Sequence, residues 1–406
     1  MDRSSSTSST KILALLGATI ALQAQQNYSS SSRRSGAARL HRRVVRINNS
    51  PMSHMLQTGD DMTFRFLFRM RKRYFIKLLQ VYKRIFVRTH LKTFTFVKRV
   101  RKRQISAKLS LALTLRYLCT STEGTDCAYL YGLLPSRYSV YMRHGLRCLD
   151  ECLDAFPEST YEIPVWRTLR TYADVITEKE EGLVKDVWGA VDGVCLRFEK
   201  SGDFIIEGQH YSGYKCADVK KLVCIFAPDG SVCGAVWGVG TMHDSTAFKQ
   251  LEVKLELQFR EQAQQTQGLR RLRIVGDSAF ANTALLVQAT DRYLKDVELL
   301  KAHRRVRNYS EIGIGSLSRC FRRLNNKLPS DDEELVDIII GTVLKMNNFR
   351  VRVARSGQLL RMHRDFMYTD SDIEEMEESD ETGGSGDDIG ESDDDMEDVA
   401  LDEESD

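Results

Sequence analysis

The centre of the chain contains VWGAVDGVCLRFEK at residues 187–200, an apolar stretch with an aspartate at position 192. Two further apolar stretches follow it, KLVCIFAPDGSVCGAVWGVG at 221–240 and RLRIVGDS at 271–278. Short apolar runs that are rich in valine, isoleucine and aromatic residues and end at turn residues are typical of buried strands. Pro228-Asp229-Gly230 predicts a hairpin turn inside the second stretch. We therefore expect a sheet in this part of the chain.

Helical patterns follow the strands. We predict helices at 281–290, 308–324 and 332–349, and a helical insertion in the Gln- and Glu-rich stretch 248–270. Strands that first form a meander and then alternate with helices indicate an α/β fold, in which a mixed sheet is covered by helices.

The region before the strands, 61–160, has helical spacing and a basic outer face. Apolar residues recur there at three- and four-residue steps from Met62 onward. Two short helices, a tight turn at Pro135 and a third helix are spaced as in a helix-turn-helix. A plain helical bundle fits the same spacing equally well.

The two ends of the chain differ from its centre in composition. Residues 1–60 are rich in Ser, Gln and Arg, which predicts little fixed structure. An apolar run at 12–24 is too short to span a bilayer, so we expect no membrane segment. The segment 353–406 ends in an acidic tail after Tyr368 that is predicted to be disordered. These boundaries leave 161–352 for the sheet domain.

The formal charge of +3 hides a strong asymmetry. Residues 370–406 contain 20 Asp and Glu and no Lys or Arg, which leaves 36 acids and 59 bases, a charge of about +23, elsewhere in the chain. A body that basic attracts polyanions, most commonly nucleic acid, although a solvated basic surface is the alternative. The nine cysteines are scattered without a C-x-x-C pair, which fits a reducing compartment.

Three acids in different local sequences are candidates for metal binding. Asp192 closes the apolar run VWGAVD, Asp277 closes RLRIVGD, and Glu311 lies in a stretch with helical spacing. Phosphodiester cleavage needs an activated nucleophile and neutralisation of developing charge, which two divalent ions about 4 Å apart can supply. Mg²⁺ prefers carboxylate and water oxygens, so a few acids suffice as protein ligands. Alternatively, Asp277 is a turn or helix-capping residue and Glu311 forms a salt bridge.

These motifs resemble those of the nuclease domain of Harbinger-type (PIF/Harbinger) transposases in the DDE superfamily. The matching segments are Asp192-Gly193, the strand hairpin 210–230, the loop 240–245, Gly276-Asp277-Ser278-Ala279-Phe280, and Arg307 to Glu311 with the basic run 319–323. The resemblance covers about residues 105–350. Jointly the motifs are specific, while each alone is a weak signal.

The resemblance implies a ribonuclease-H-like fold behind a helix-turn-helix-like region, and DNA cleavage with two Mg²⁺ or Mn²⁺ ions held by Asp192, Asp277 and Glu311. His243 and Asp244 are possible supporting residues, with Asp244 orienting a metal-bound water or capping the next helix. The nucleic-acid contacts that the resemblance implies are Lys215, Arg307, Arg319, Arg322 and Arg323.

The same resemblance suggests a Myb-like helper protein and a homo-oligomer. It also favours the nucleus, or the cytoplasm until a partner imports the chain. The basic runs at 69–73 and 98–103 are candidate nuclear-localisation signals. Basic helix faces in a DNA-binding region explain these runs equally well.

The chain also departs from the family pattern. Val194-Cys195 stands where the family more often has a hydroxyl residue and histidine. Ser318 replaces a lysine of the family pattern, and VLKMNNF at 343–349 differs from the usual Leu-His-Asn motif. Since all three acids are retained, we expect an enzyme. The alternatives are a domesticated relative that binds DNA or chromatin without cutting it, and a basic scaffold whose acidic tail recruits partners or shields the basic surface.

Overall fold

The computed structural model describes residues 49–94, 105–122, 124–265, 271–290 and 294–367. Helices account for most of these residues, and six strands lie between the seventh helix and the tenth. The helices are α1 Pro51–Thr58, α2 Asp61–Phe68, α3 Lys72–Phe94, α4 Ala107–Cys119, α5 Gly124–Leu130, α6 Pro135–Asp154, α7 Trp166–Lys179, α8 Phe204–His210, α9 Asp244–Gln265, α10 Val297–Cys320, α11 Glu333–Asn348, α12 Gln358–Met362 and α13 Arg364–Met367. Short 3₁₀ turns lie at Pro157–Ser159 and Arg322–Asn325, and a π-helical turn at Phe349–Val353.

The six strands form one mixed sheet. They are β1 Val187–Arg197, β2 Tyr211–Ser212, β3 Ala217–Phe226, β4 Val232–Val239, β5 Arg273–Gly276 and β6 Leu286–Gln288. β1 is central, since it pairs antiparallel with β3 and parallel with β5. On the outer sides, β4 and β2 pair with β3, and β6 pairs parallel with β5. An antiparallel meander continued by parallel strands, with helices on both faces, is the ribonuclease-H-like arrangement that the sequence predicted.

The alternation of apolar residues along β1 and β3 explains why both faces of the sheet are covered. On one face, Val191 and Ile225 pack with Leu169 of α7 and with Phe248 and Leu251 of α9. Apolar residues of β1, β5 and α10 form the cluster on the other face, which contains Ala190, Val275, Ala302, Val306 and Tyr309. The sheet is therefore buried on both sides.

The N-terminal helices share a hydrophobic core with the sheet. Leu111 and Leu115 of α4 belong to the same buried cluster as Leu222 and Phe226 of β3, with α11 lying between. The helical region and the sheet thus belong to one compact unit, although they differ in sequence pattern.

The structure changes several of the predicted elements. The predicted helix at 281–290 is wrong, because Leu286–Gln288 forms β6 and the N–H groups of Leu285 and Leu286 donate to the Thr283 hydroxyl in the preceding turn. The Gln- and Glu-rich stretch belongs to α9, whose first half packs on the sheet instead of forming an insertion.

Other predictions are confirmed or extended. The hairpin turn lies where expected, with Gly230 at φ +86°. The helix α1, with Met52 and Leu56 buried, falls inside the range 1–60 that was predicted to have little fixed structure. Beyond position 353, Leu359 and Leu360 of α12 are buried as well.

The helices α4, α5 and α6 correspond to the predicted helix-turn-helix-like segment. Two arginines on the exposed side of α6 form ion pairs at the start of α11: Arg143 with Asp332, and Arg147 with Glu334 at 3.0 Å. This side of α6 therefore contacts a neighbouring helix in addition to solvent.

Several predictions lie outside the described residues. They concern residues 1–48, including the apolar run at 12–24, the basic run 98–103 and the acidic tail 370–406. Among the helices that the structure does describe, none combines the length and the apolarity needed to cross a membrane.

Candidate active site

Asp192 lies where β1 and β5 diverge. The last parallel pair joins Ala190 to Val275, and β1 then continues to Arg197 alongside β3. Asp192 and Asp277 each lie two residues beyond this pair, so both aspartates stand at the same edge of the sheet. The prediction that Asp192 ends its strand was wrong: the pairing with β5 ends there, while the strand itself continues.

Glu311 lies on α10, which crosses the same face of the sheet. Tyr309, one of its near neighbours, packs in the cluster that contains Ala190 of β1. At Gly313 the helix lies so close to β3 that an added Cβ would be 2.3 Å from the Phe226 ring. Because side chains alternate along a strand, Asp192 shares the face of Ala190 and is directed toward the α10 side. The helix thus brings Glu311 to the side of the sheet on which Asp192 lies.

The carboxylates interact electrostatically. Burial, and after it the charges of Asp277, Glu311 and Asp244, together raise the pKa of Asp192 to about 6, against the lowering effect of the Gly193 N–H. That N–H donates to Oδ1 of Asp192 at 2.7 Å. Acidic groups that raise the pKa of a neighbouring acid mark a place where a cation would be stabilised.

Two of the acids also have local partners. Oδ1 of Asp277 accepts a hydrogen bond from the backbone N–H of Ala279 at 2.9 Å, as expected for a turn aspartate. Oε1 of Glu311 accepts one from Nη2 of Arg307 at 2.7 Å, and about half of the Glu311 side chain is exposed. In the described part of the chain, no three His, Cys, Asp or Glu side chains are drawn together closely enough to hold a metal ion. The three carboxylates thus interact electrostatically, but each forms a hydrogen bond with its own local partner and they do not converge on one point.

Asp244 supports the backbone next to Asp192. It is the first residue of α9, and its Oδ1 forms an ion pair with Nζ of Lys221 at 2.8 Å. A Cβ at Gly193 would lie 2.7 Å from that same oxygen, so the residue after Asp192 is small because Asp244 packs on it. Asp244 is thus a first-turn residue and not the residue before the helix, since the first backbone bonds of α9 run from the N–H groups of Thr246 and Ala247 to the carbonyl of exposed His243.

Lys221 was not predicted from the sequence as a site residue. Its side chain is only 15% exposed, and β3 directs it to the Asp244 side of the sheet. A lysine directly before the apolar run LVCIF of β3 is the signal that could have identified it, since a buried ammonium needs a charged partner.

A cleft of about 570 Å³ lies further along β1 and β3. It begins at Cys195, three residues after Asp192, and continues past Arg197 toward Tyr211 and Val219. Four basic and two acidic side chains line it: Arg197, Lys200, Lys215, Lys327, Glu207 and Asp218. Lys200 is paired with Glu207 at 3.0 Å, so Arg197, Lys215 and Lys327 supply most of its positive character.

The residues predicted to bind nucleic acid lie in three places. Lys215 lines the cleft, 5.0 Å from the centre of the exposed Tyr214 ring. Arg307 lies one helical turn from Glu311. The other three lie at and beyond the end of α10, where Arg319 donates to Gln358 at 2.9 Å, Arg322 is exposed and Arg323 lies over the Tyr117 ring.

The comparisons with known proteins gave one match. No curated protein and no solved structure matched the chain significantly. Residues 191–348 match the family model described as a DDE superfamily endonuclease. The matched segment begins one residue before Asp192, ends with α11 and includes Asp277 and Glu311, but it covers less than half of the chain. This segment of the protein is therefore similar to a DDE superfamily endonuclease domain.

Proposed function

We propose that this protein is a metal-dependent DNA endonuclease of the transposase type, with Asp192, Asp277 and Glu311 as its metal ligands. The observation that carries the proposal is the position of Asp192, at the divergence of β1 and β5 and under the influence of three other carboxylates. The similarity of residues 191–348 to DDE endonucleases supports it independently.

The donor set fits divalent magnesium or manganese. Carboxylate oxygens are the preferred ligands of Mg²⁺, and the charges that now raise the pKa of Asp192 would be neutralised by two dications. When bound, the ions supply Lewis-acid activation of water and neutralise charge on the leaving oxygen. Asp192, between the other acids, is the residue suited to contact both ions.

The remaining residues position these ligands. Glu311 would hold a metal next to its bond to Arg307 or in exchange for it, and in both cases the Arg307 guanidinium would lie beside the site, where it could contact a substrate phosphate. The Lys221–Asp244 pair holds the start of α9 against Gly193 and so fixes the backbone that carries Asp192.

The basic cleft offers a path for the substrate strand. From Asp192 to Arg197 the strand β1 advances about 17 Å. Successive phosphates of duplex DNA are about 3.4 Å apart along the axis, so the backbone of Arg197 lies about five phosphate spacings from Asp192, and Lys215 and Lys327 line the same cleft as Arg197. We infer that these residues bind the flanking DNA.

A second candidate function is DNA binding without cleavage. It is favoured by the local bonds of Asp277 and Glu311, which match what a structural turn and a surface ion pair would show. The two functions differ in one measurable respect, since only the enzyme needs the three acids for more than folding.

The test is nicking of supercoiled plasmid DNA by the purified full-length chain with Mg²⁺ or Mn²⁺. Glu311→Gln should lose nicking but retain DNA in a gel shift. Glu298→Gln is the matched control, because Glu298 is an exposed, ion-paired acid on the same helix. Equal nicking by both variants, or no metal-dependent nicking by the wild type, would exclude the endonuclease.

The finer assignment is a Harbinger-type transposase that works in the nucleus as a homo-oligomer with a Myb-like helper protein. The segment order and the basic charge support it. Nuclear accumulation of a variant with neutral residues in both basic runs, 69–73 and 98–103, would reject them as the nuclear address.

A further inference from the structure

Four arginines from distant parts of the chain surround one place between the N-terminal helices and the end of α10. Arg69 caps α2, Arg116 lies in the last turn of α4, Arg323 is in the 3₁₀ turn after α10, and Arg350 is in the π-helical turn after α11. We call this group the arginine ring.

Side-chain contacts and short stretches of backbone link these residues in a closed circuit. Nε of Arg350 donates to the backbone carbonyl of Arg69 at 2.8 Å, and its guanidinium lies 5.9 Å from the centre of the Phe321 ring. Two residues after Phe321, Arg323 lies 4.7 Å from the centre of the Tyr117 ring.

The remaining contacts close the circuit. Tyr117 follows Arg116 directly, and the Arg116 guanidinium lies 6.0 Å from the centre of the Phe66 ring. Phe66 precedes Arg69 by about one helical turn. The buried thiol of Cys119 lies within this circuit, and its electrostatic environment includes Arg350, Arg69 and Arg116.

The arginine ring lacks an ion-paired carboxylate among the described residues. None of its four members forms an ion pair with a described carboxylate, whereas Arg143 and Arg147 nearby on α6 both do. The Nε atoms of Arg69, Arg116 and Arg323 are buried without a hydrogen-bond partner in the described structure. Arg350 is only 7% exposed.

Gathering four arginines whose side chains are partly or wholly shielded from water is unfavourable unless an anion accompanies them. Stacking on aromatic rings offsets part of this cost, but it does not neutralise the charge. Guanidinium groups offer pairs of parallel N–H donors, which match the oxygens of a phosphate group.

We propose that the arginine ring binds a phosphate group. It lies away from the carboxylates, because α10 advances about 14 Å between Glu311 and Cys320. The proposal therefore does not depend on the proposed cleavage activity. The phosphate has two possible sources, the backbone of a nucleic acid and a free phosphate compound, and the experiment separates them.

The experiment measures thermal unfolding of the full-length chain with increasing pyrophosphate, against potassium chloride at the same ionic strength. We expect a saturable rise in Tm for the wild type. Arg116→Gln and Arg323→Gln should each weaken the apparent affinity about tenfold, as expected when about 1.4 kcal/mol of contact energy is lost. Arg167→Gln is the matched control, since Arg167 is an exposed arginine on α7 outside the arginine ring and should keep the wild-type affinity.

Arg116→Lys and Arg323→Lys test whether weaker pyrophosphate binding is caused by a loss of folding. Lysine keeps the charge but has no paired donors, so these variants should unfold like the wild type and still bind pyrophosphate more weakly. A short DNA duplex is then titrated against bound pyrophosphate. Competition in the wild type identifies the nucleic-acid backbone as the source, and its absence identifies a free phosphate compound.

Two results would overturn the proposal. The first is a Tm that rises with pyrophosphate no more than with chloride. The second is a saturable rise that is equal in the wild type, Arg116→Gln and Arg323→Gln, because the anion would then be bound elsewhere.

Discussion

The protein gathers like charges in two regions, the carboxylates where β1 and β5 diverge and the arginine ring beyond the end of α10. The acids each keep a local bond, to a backbone N–H or to Arg307, and they raise the pKa of Asp192. The arginines lie against aromatic rings instead, with buried Nε atoms that have no described partner. A counter-ion would stabilise both regions. Its absence raises the pKa of Asp192 among the acids, whereas among the arginines it leaves buried Nε atoms without a partner.

The largest effect that would test this contrast is expected for Asp192→Asn. Losing residues that merely support a metal ligand typically costs 10–100-fold, so losing a ligand should reduce nicking by at least about 100-fold. The same change should stabilise the metal-free protein at pH 7, because it removes a charge that is disfavoured by burial and by neighbouring acids.

The sign of the stability effect follows from the pKa. The folded-state pKa of Asp192 is about 6, above the usual 3.8, so its ionisation opposes folding as the pH rises through this window. The gain in Asp192→Asn should be small below pH 3.8 and reach up to about 3 kcal/mol above pH 6. Urea unfolding at pH 4 and pH 7.5 measures it, with Glu298→Gln as the control; a variant that is less stable at pH 7.5 would contradict the carboxylate cluster.

His363 provides a reference for both regions, because it is a fully buried titratable group that the fold keeps neutral. Burial lowers its pKa to about 4, while its Nδ1 bonds to the Leu359 carbonyl at 2.9 Å and Lys179 donates to its Nε2 at 3.1 Å. A base with a lowered folded-state pKa stabilises fully above its usual value of 6.5 and loses that contribution as the pH falls toward 4.

His363→Gln should therefore flatten the loss of stability between pH 6.5 and pH 4, by up to about 3 kcal/mol at the acid end. The free energy of unfolding is measured across this range beside the exposed-site control His54→Gln. Parallel curves for the wild type and His363→Gln would show that the histidine is not held neutral by the fold.

The two charged regions also differ in how well their residues could be identified from the sequence. Asp192 and Asp277 each close an apolar run, and this pattern singled them out as candidate metal ligands. The arginine ring has no such pattern, because Arg69, Arg116, Arg323 and Arg350 come from four segments that meet only through tertiary packing. Apolar spacing also gave the wrong prediction at 281–290. This short apolar run fits a helix and a strand equally well, and pairing with β5 makes part of it a strand.

Gly193→Ala would test whether the acids depend on tight backbone packing. The new Cβ would lie 2.7 Å from Oδ1 of Asp244, so either the Lys221–Asp244 pair or β1 must move. We expect a loss of about 1–3 kcal/mol in the free energy of unfolding. Gly208→Ala on α8 is the control, since its added Cβ meets no atom within 4 Å. Equal effects of the two changes would mean that Asp244 does not constrain Gly193.

The smallest effect is expected for Arg307→Gln, and it bears most directly on the difference between the two regions. If the local bond of Glu311 is a substitute for a metal, then removing the guanidinium removes a competitor, and Mn²⁺ should bind more tightly. An exposed ion pair is worth about 0.2–1 kcal/mol, which corresponds to roughly a two- to fivefold lower Kd. Lys301→Gln is the control, because Lys301 forms an ion pair with Glu298 on the same helix but away from the acids.

Weaker Mn²⁺ binding by Arg307→Gln would reverse this interpretation. It would mean that the guanidinium orients Glu311 toward the metal instead of competing for it, and that the acids are organised before the metal arrives. The carboxylate region would then resemble the arginine ring, in which neighbouring residues already hold the charged groups in place. The two regions would differ only in the sign of their charge.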